Sequence, residues 1–132
     1  MKKDNLIVLS LEINHESKTI EIHTRRLSKD NCLKDMYKIL NCDCVTCTEI
    51  EIEGKFYDVW SDDEALLKYR PIPVLYVNDD VIIFGNVLFA KANSNGDTCG
   101  LAYKDVNIIY DYIQKQDVKL RKWLADRMKN KG

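Results

Sequence analysis

The run from Val81 to Ala90 constrains the fold more than any other stretch of the chain, because every residue in it other than Gly85 and Asn86 is apolar. A continuous apolar run rich in β-branched and aromatic residues suits a strand covered on both faces, and it is too short to span a membrane. It reads as the central strand of a sheet on which everything else packs. Gly85 is the odd residue in it. Glycine weakens a strand interior, and it marks a bulge or a place where another backbone, a ring or a ligand comes close. A chain of 132 residues supports one core in a single domain, residues 1–132, which buries roughly two-thirds of its unfolded surface without disulfides or a structural metal.

Around that run the pattern alternates between strand and helix periods. Asn5 to Ile13 and Lys18 to His23 read as an opening hairpin, with Ile20 and Ile22 on one side of the second strand and Thr19, Glu21 and His23 on the other. Ser28 is placed to cap a helix over 29–40, in which Leu33, Met36, Tyr37 and Leu40 recur at helical spacing. Val45 to Glu53 and Phe56 to Trp60 form a second hairpin closed by Gly54-Lys55. Thr46, Thr48, Ile50 and Ile52 share one face, while the other is acidic. Ser61 to Glu64 reads as a turn, Arg70-Pro71-Ile72-Pro73 as an extended connector, and Val74 to Val77 as a short strand. After a polar loop at 93–100, Val106, Ile109, Tyr110 and Ile113 define an amphipathic helix, and Leu120, Trp123, Leu124 and Met128 a second stripe. Gln116-Asp117 falls where the apolar slot should continue, which predicts a break there with Asp117 capping the second segment. The expected fold is therefore α+β: an antiparallel sheet of about five to six strands, one helix after the opening hairpin, and a helical C-terminus.

Net charge is −1, but residues 114–132 hold seven basic side chains against two acidic ones, so a +5 segment stands beside a −6 body. A basic helix, about 117–130, next to an acidic body points to a solvated face or to docking on a second copy, rather than to nucleic acid. Trp123, Leu124 and Met128 on that helix need a cover, which predicts a homo-oligomer, a dimer through the C-terminal helix. The five cysteines are odd in number, and Met1-Lys2-Lys3-Asp4 leads into a strand pattern rather than a secretory h-region. Both features predict a reduced, cytoplasmic protein with no membrane association.

No motif names a reaction. Cys42, Cys44 and Cys47 have tempting metal spacing, yet on an extended strand Cys42 and Cys44 share a face and Cys47 points away. Small buried hydrophobes are the expected reading, with no metal and no cofactor. The carboxylates Asp62, Asp63, Glu64, Asp79 and Asp80 sit where turns are expected and read as solvated. Asp43 with Glu53-Gly54-Lys55 faintly resembles a nuclease hairpin, but the turn aims the lysine outward. Neither phosphate-binding glycine loops nor hydrolytic triads are present, so no catalytic residue is assigned. What remains is a pocket for a small anionic ligand. Arg25, Arg26 and Arg70 would pair with phosphates, Tyr57, Trp60 and Phe84 would stack on a base, and Asn86, Asn93 and Asn95 would read polar edges.

From about residue 27 to 113 the order of short marks resembles a small uncharacterised domain family of bacteriophages and Gram-positive mobile elements. The marks are Asn41-Cys42-Asp43-Cys44 after a helix, an acidic hairpin closed by Gly54-Lys55, Trp60-Ser61-Asp62-Asp63-Glu64-Ala65-Leu66-Leu67, and Ile83-Phe84-Gly85-Asn86. Ala65 stands where similar sequences carry glycine, and Ala102 where they carry a hydroxyl helix cap. The resemblance transfers no activity to named residues. It implies a phage-type anti-defence protein that sequesters a small nucleotide immune signal without catalysis. Two other classes stand beside it: an inhibitor that binds a host protein through Glu49, Glu51, Glu53, Asp58 and Asp62, and a metal-dependent hydrolase or nuclease built on the carboxylates.

Overall fold

The computed structural model describes residues 5–17, 19–67, 72–77 and 81–129. The elements in chain order are β1 (Asn5–Asn14), β2 (Thr19–Ser28), α1 (Cys32–Leu40), β3 (Val45–Ile52), β4 (Lys55–Asp62), a 3-10 turn (Ala65–Leu67), β5 (Pro73–Val77), β6 (Val81–Phe84), β7 (Val87–Ala92), β8 (Thr98–Cys99) and α2 (Tyr103–Lys129). The main sheet runs β2-β1-β7-β4-β3, with β8 added to the far end of β7. All of its pairings are antiparallel, and β5 and β6 form a separate hairpin. The α+β architecture expected from the patterning is what the chain adopts.

Strand alternation divides the core in two. Leu9 and Leu11, Ile50 and Ile52, Tyr57 and Val59, and Val87 and Phe89 project to one face, where α2 and the β5–β6 hairpin cover them. Leu6, Val8, Leu27, Leu88 and Ala90 project to the other, under Met36 and Leu40 of α1. At nine residues α1 is about 13 Å long and leaves the β3–β4 flank of its face open. There Cys47, Glu49, Glu51 and Phe56 are exposed.

Three expectations about elements are corrected. The Val81–Ala90 run is two strands in two sheets, not one. Gly85 adopts φ +83° and its N–H donates to the Ile72 carbonyl at 2.9 Å, turning the chain out of the β5–β6 hairpin and into the main sheet. A Cβ at Gly85 would meet only Ala65 Cβ, at 3.7 Å, so backbone conformation rather than space demands glycine. The central strand is thus β7 alone, and Val87, Leu88, Phe89 and Ala90 are all fully buried.

The second correction concerns α1. β2 continues through Arg25 and Arg26 to Ser28, paired along its full length with β1, and α1 starts only at Cys32. Ser28 does not cap it. Its backbone N–H instead donates to Asp35 Oδ2 at 2.7 Å, so the helix's own first-turn carboxylate closes the strand-to-helix corner. Third, α2 passes Gln116-Asp117 unbroken. Glutamine is a good helix former, and Gln116 follows Ile109 and Ile113 at i+7 and i+3, so it lies on the inward face and is 7 % exposed.

The weak cap at Ala102 is compensated from within the helix. Asp105 reaches back to accept the Ala102 N–H at 2.9 Å, the carboxylate half of a capping box. The same side chain accepts the Tyr57 hydroxyl at 2.8 Å and the Lys91 ammonium at 3.1 Å, joining α2 to β4 and β7. Burial would raise its carboxyl, but these three donors outweigh burial and hold it below the ordinary aspartate range.

Candidate functional site

The residues proposed from sequence as one ligand pocket are spread across the fold. Arg25 lies on the α1 face and is committed to Glu12 as a two-pronged pair, Nε to Oε2 at 2.6 Å and Nη2 to Oε1 at 2.7 Å. Burial alone would raise the Glu12 carboxyl; Arg25 and the Ser10 hydroxyl reverse the direction and hold it low. Arg26, next along the strand, points to the opposite face and is exposed. Tyr57 is a core residue, 1 % exposed, with its hydroxyl on Asp105. Trp60 packs beside α1, where its indole N–H is buried without a hydrogen-bond partner. Phe84 ends β6 beside Thr46, Thr48 and Ser61 around a recess of about 170 Å³. Asn93 Oδ1 accepts the N–H groups of Asn95 and Asp97 at 2.9 and 3.0 Å, which folds the β7–β8 loop. Among the described residues of the set, a hydrogen bond joins Asn93 and Asn95. Arg70, Asp79 and Asp80 lie outside the described residues.

Asn86 proves to be a corner bracket. Its Oδ1 accepts the Ile13 N–H at 2.8 Å and its Nδ2 donates to the Ile39 carbonyl at 3.0 Å, tying the start of β7 to both β1 and the end of α1. Asn86→Ala strands one donor and one acceptor in partly buried surroundings and is expected to cost about 2 kcal/mol, read as a lower midpoint in urea with an unchanged slope.

The cysteines also depart from expectation. Cys42 is buried, but Cys44 and Cys47 are exposed, because Cys44 precedes β3 in a loop and Cys47 stands on the flank that α1 does not reach. The Cys47 thiol is pushed up to about 11 by partial desolvation and by the Asp58 carboxylate, so with no metal bound it is protonated at neutral pH. Among the described residues no three His, Cys, Asp or Glu side chains are grouped to hold a metal ion, and no helix is long and apolar enough to cross a membrane.

The acidic hairpin face is partly as expected. Glu49 stands directly opposite Asp58, and Glu51 opposite Phe56, which is 59 % exposed. Asp62 is not part of the open face: it is 8 % exposed, and its Oδ1 accepts the Glu64 N–H at 2.9 Å.

A different recess has the character of a ligand site. Leu11, Ile20 and Ile22 form its floor, Val74 and Leu75 of β5 one wall, and Ile113, Gln114 and Gln116 of α2 the other, around about 250 Å³. β1–β2 pairing sets Leu11 against Ile22 and Ile13 against Ile20, so the floor is a continuous aliphatic strip of the sheet. Gln116 also lines this cleft, and among the described residues its Oε1, which is closed off from solvent, meets no donor. The signal for it was present in the chain as a glutamine in an apolar helical slot. Read locally that is a helix break, whereas against a sheet it is a buried polar group.

No curated protein and no solved structure matches the chain. The family model described as a domain of unknown function, DUF3846, matches residues 6–115, from the second residue of β1 into the first half of α2, and the chain belongs to that family.

Proposed function

We propose that the chain is a phage-type anti-defence binding protein, acting in the cytoplasm of the bacterial host, that sequesters a small nucleotide immune signal without altering it. The observation that carries this reading is the apolar cleft between β1–β2, β5 and α2. Small-molecule sites are concave and mostly apolar, with a few polar groups that fix orientation, and they begin at about 300 Å³. A cleft slightly smaller than that suits a nucleotide base, with the sugar and phosphate left outside. The helix that walls the cleft runs on into the segment of net charge +5, the sign a phosphate requires. The protein works as a homo-oligomer, a dimer through the C-terminal helix, for which light scattering at micromolar concentration is the check.

Screening purified protein by thermal shift against mononucleotides, dinucleotides and cyclic nucleotides tests the reading. At a hundredfold excess over Kd a bound nucleotide stabilises by about 2.7 kcal/mol, several degrees in Tm. Chromatography of the ligand released on heating then separates outcomes: intact ligand agrees with sequestration, altered ligand means catalysis, and no shift with any nucleotide overturns the proposal.

The acidic flank favours a second reading, an inhibitor of a host protein. Phe56, exposed between Glu49, Glu51 and Asp58, offers an apolar anchor ringed by negative charge, which fits a basic partner surface. Loss of anti-defence activity in Glu49→Lys/Glu51→Lys, with the nucleotide shift absent in the parent, would select it.

A further inference from the structure

We propose that β2 pairs with β2 of a second copy, antiparallel about a two-fold axis at His23, and so joins the two main sheets into one. The inference rests on the reading of the chain as a homo-oligomer, and it names the strand edge at which the copies meet. α2 runs toward that edge. Asp105 near its start bonds Tyr57 of β4 and Lys91 of β7, whereas Ile113 and Gln116 line the cleft floored by Ile20 and Ile22 of β2.

β2 ends the sheet, and among the described residues no strand pairs with its outer side. It is ten residues long, holds no proline and pairs with β1 in one unbroken register. Natural edge strands are commonly shortened, bulged or given a proline to prevent pairing, and β2 has none of these. The direction of its backbone groups follows from its neighbour. Ile7 accepts the Leu101 N–H at 2.7 Å and Ile13 donates to Asn86 at 2.8 Å, so these residues of β1 turn their polar groups away from β2. Their partners across an antiparallel pair do the same, which points the N–H and C=O of Ile20, Ile22, Thr24 and Arg26 outward. The Ser28 N–H, in the same phase, goes to Asp35 rather than to β1. Centring a second β2 on His23 sets Ile20 opposite Arg26 and Ile22 opposite Thr24, about eight hydrogen bonds, two for each of these pairs and its symmetry mate. On the α1 face it sets Glu21 of each copy opposite Arg25 of the other. Arg25 gives Nε and Nη2 to Glu12, which leaves Nη1 for that carboxylate. On the α2 face the Arg26 stem covers Ile20, which is 41 % exposed in the single chain. Shifting the register by two residues in either direction loses both ion pairs. The opposite edge is not self-complementary: β3 carries Glu49 and Glu51 and no basic residue, so an antiparallel copy brings like charges together.

The axis falls on a pair that is not hydrogen-bonded, whose Cα atoms lie about 4.5 Å apart, within disulfide range. Treating the full chain carrying His23→Cys with oxidised glutathione is therefore expected to link two copies through the introduced thiols, read by mass spectrometry of the non-reduced peptides. Thr24→Cys, which the register sets opposite Ile22, should form no such link. Glu21→Arg replaces two attractive pairs by two repulsive ones at an exposed position, and it should raise the dimer Kd about tenfold in light scattering across a dilution series. A monomeric parent at micromolar concentration would overturn this inference and the homo-oligomer reading together. A dimer in which His23→Cys links no better than Thr24→Cys, or in which Glu21→Arg leaves Kd unchanged, would overturn the inference alone and leave the C-terminal helix as the interface.

Discussion

Asp105→Ala is expected to lower the stability of the domain by about 3–4 kcal/mol, a fall of roughly 10–15 °C in Tm for a chain of this size. Asp105 is 1 % exposed, and its carboxylate is shared by three donors from three parts of the chain: the Tyr57 hydroxyl, the Lys91 ammonium and the Ala102 N–H. Lys91 is 38 % exposed and finds water when the carboxylate goes, so its loss counts for little. The Tyr57 hydroxyl and the Ala102 N–H are differently placed. One is buried in the core and the other heads a helix with no side-chain cap of its own, and each is left unpaired. Burial and the neighbouring carboxylate keep the Tyr57 hydroxyl well above the ordinary tyrosine range, so it remains a donor at any working pH. Tyr57→Phe should cost less, about 1–2 kcal/mol, because Asp105 keeps two of its partners.

The same site predicts a pH dependence. Asp105 titrates lower in the folded chain than in the unfolded one, so its contribution is complete above the unfolded aspartate value of about 3.9. It is lost as pH falls through the lower folded value. Urea midpoints measured for the parent and for Asp105→Asn should therefore differ most above pH ~4 and converge in stronger acid. A constant difference across that range would show that the carboxylate's charge is not what joins α2 to the sheet.

Phe89→Ala is expected to cost about 3–5 kcal/mol, the value for emptying an aromatic site in a packed core. Phe89 sits where β7 pairs with both β1 and β4, opposite Leu9 on one side and Val59 on the other. It is fully buried, and so is Leu88 behind it on the α1 face. The cavity would open in a layer backed by a second packed layer, which limits collapse and places the cost toward the upper end. Phe56→Ala is the internal control. The residue type and hairpin context are similar, but Phe56 is 59 % exposed, and the change should stay within about 0.5 kcal/mol. Equal losses in urea denaturation for the two variants would contradict the two-layer core described here.

The two hairpins illustrate how much of the fold was legible. Alternation sets Thr46, Thr48, Ile50 and Ile52 of β3 apart from Cys47, Glu49 and Glu51, and Tyr57 and Val59 of β4 apart from Phe56, Asp58 and Trp60; the sheet buries Ile50, Ile52, Tyr57 and Val59 and exposes Cys47, Glu49, Glu51 and Phe56, while Thr46 at the start of β3 is exposed as well. The double burial of Val87 to Ala90 was equally readable, since an apolar run without alternation has no solvent side. The ligand residues were not. Arg25 looks the same in sequence whether it waits for a phosphate or pairs with Glu12, thirteen positions earlier and brought close only by β1–β2 pairing. Asn86 looks like a reader of polar edges until Ile13 and Ile39 are seen to use both ends of its amide.

Taken alone, the amino-acid order determined which faces of the β3–β4 hairpin differ in polarity, that helix follows the opening hairpin and forms the C-terminal region, and that the molecule carries opposite charge in its body and its tail. Those properties repeat every two residues, recur every three to four, or sum along the chain, so local backbone geometry is enough to express them. Tertiary structure alone decided that the apolar run divides at Gly85 between two sheets, that Gln116 turns inward on an unbroken helix, and that Asp105 joins three elements. Each of these depends on a partner distant in sequence, such as Ile72, the β1–β2 floor or Tyr57. The free energy that selects them exists only once those partners are in contact.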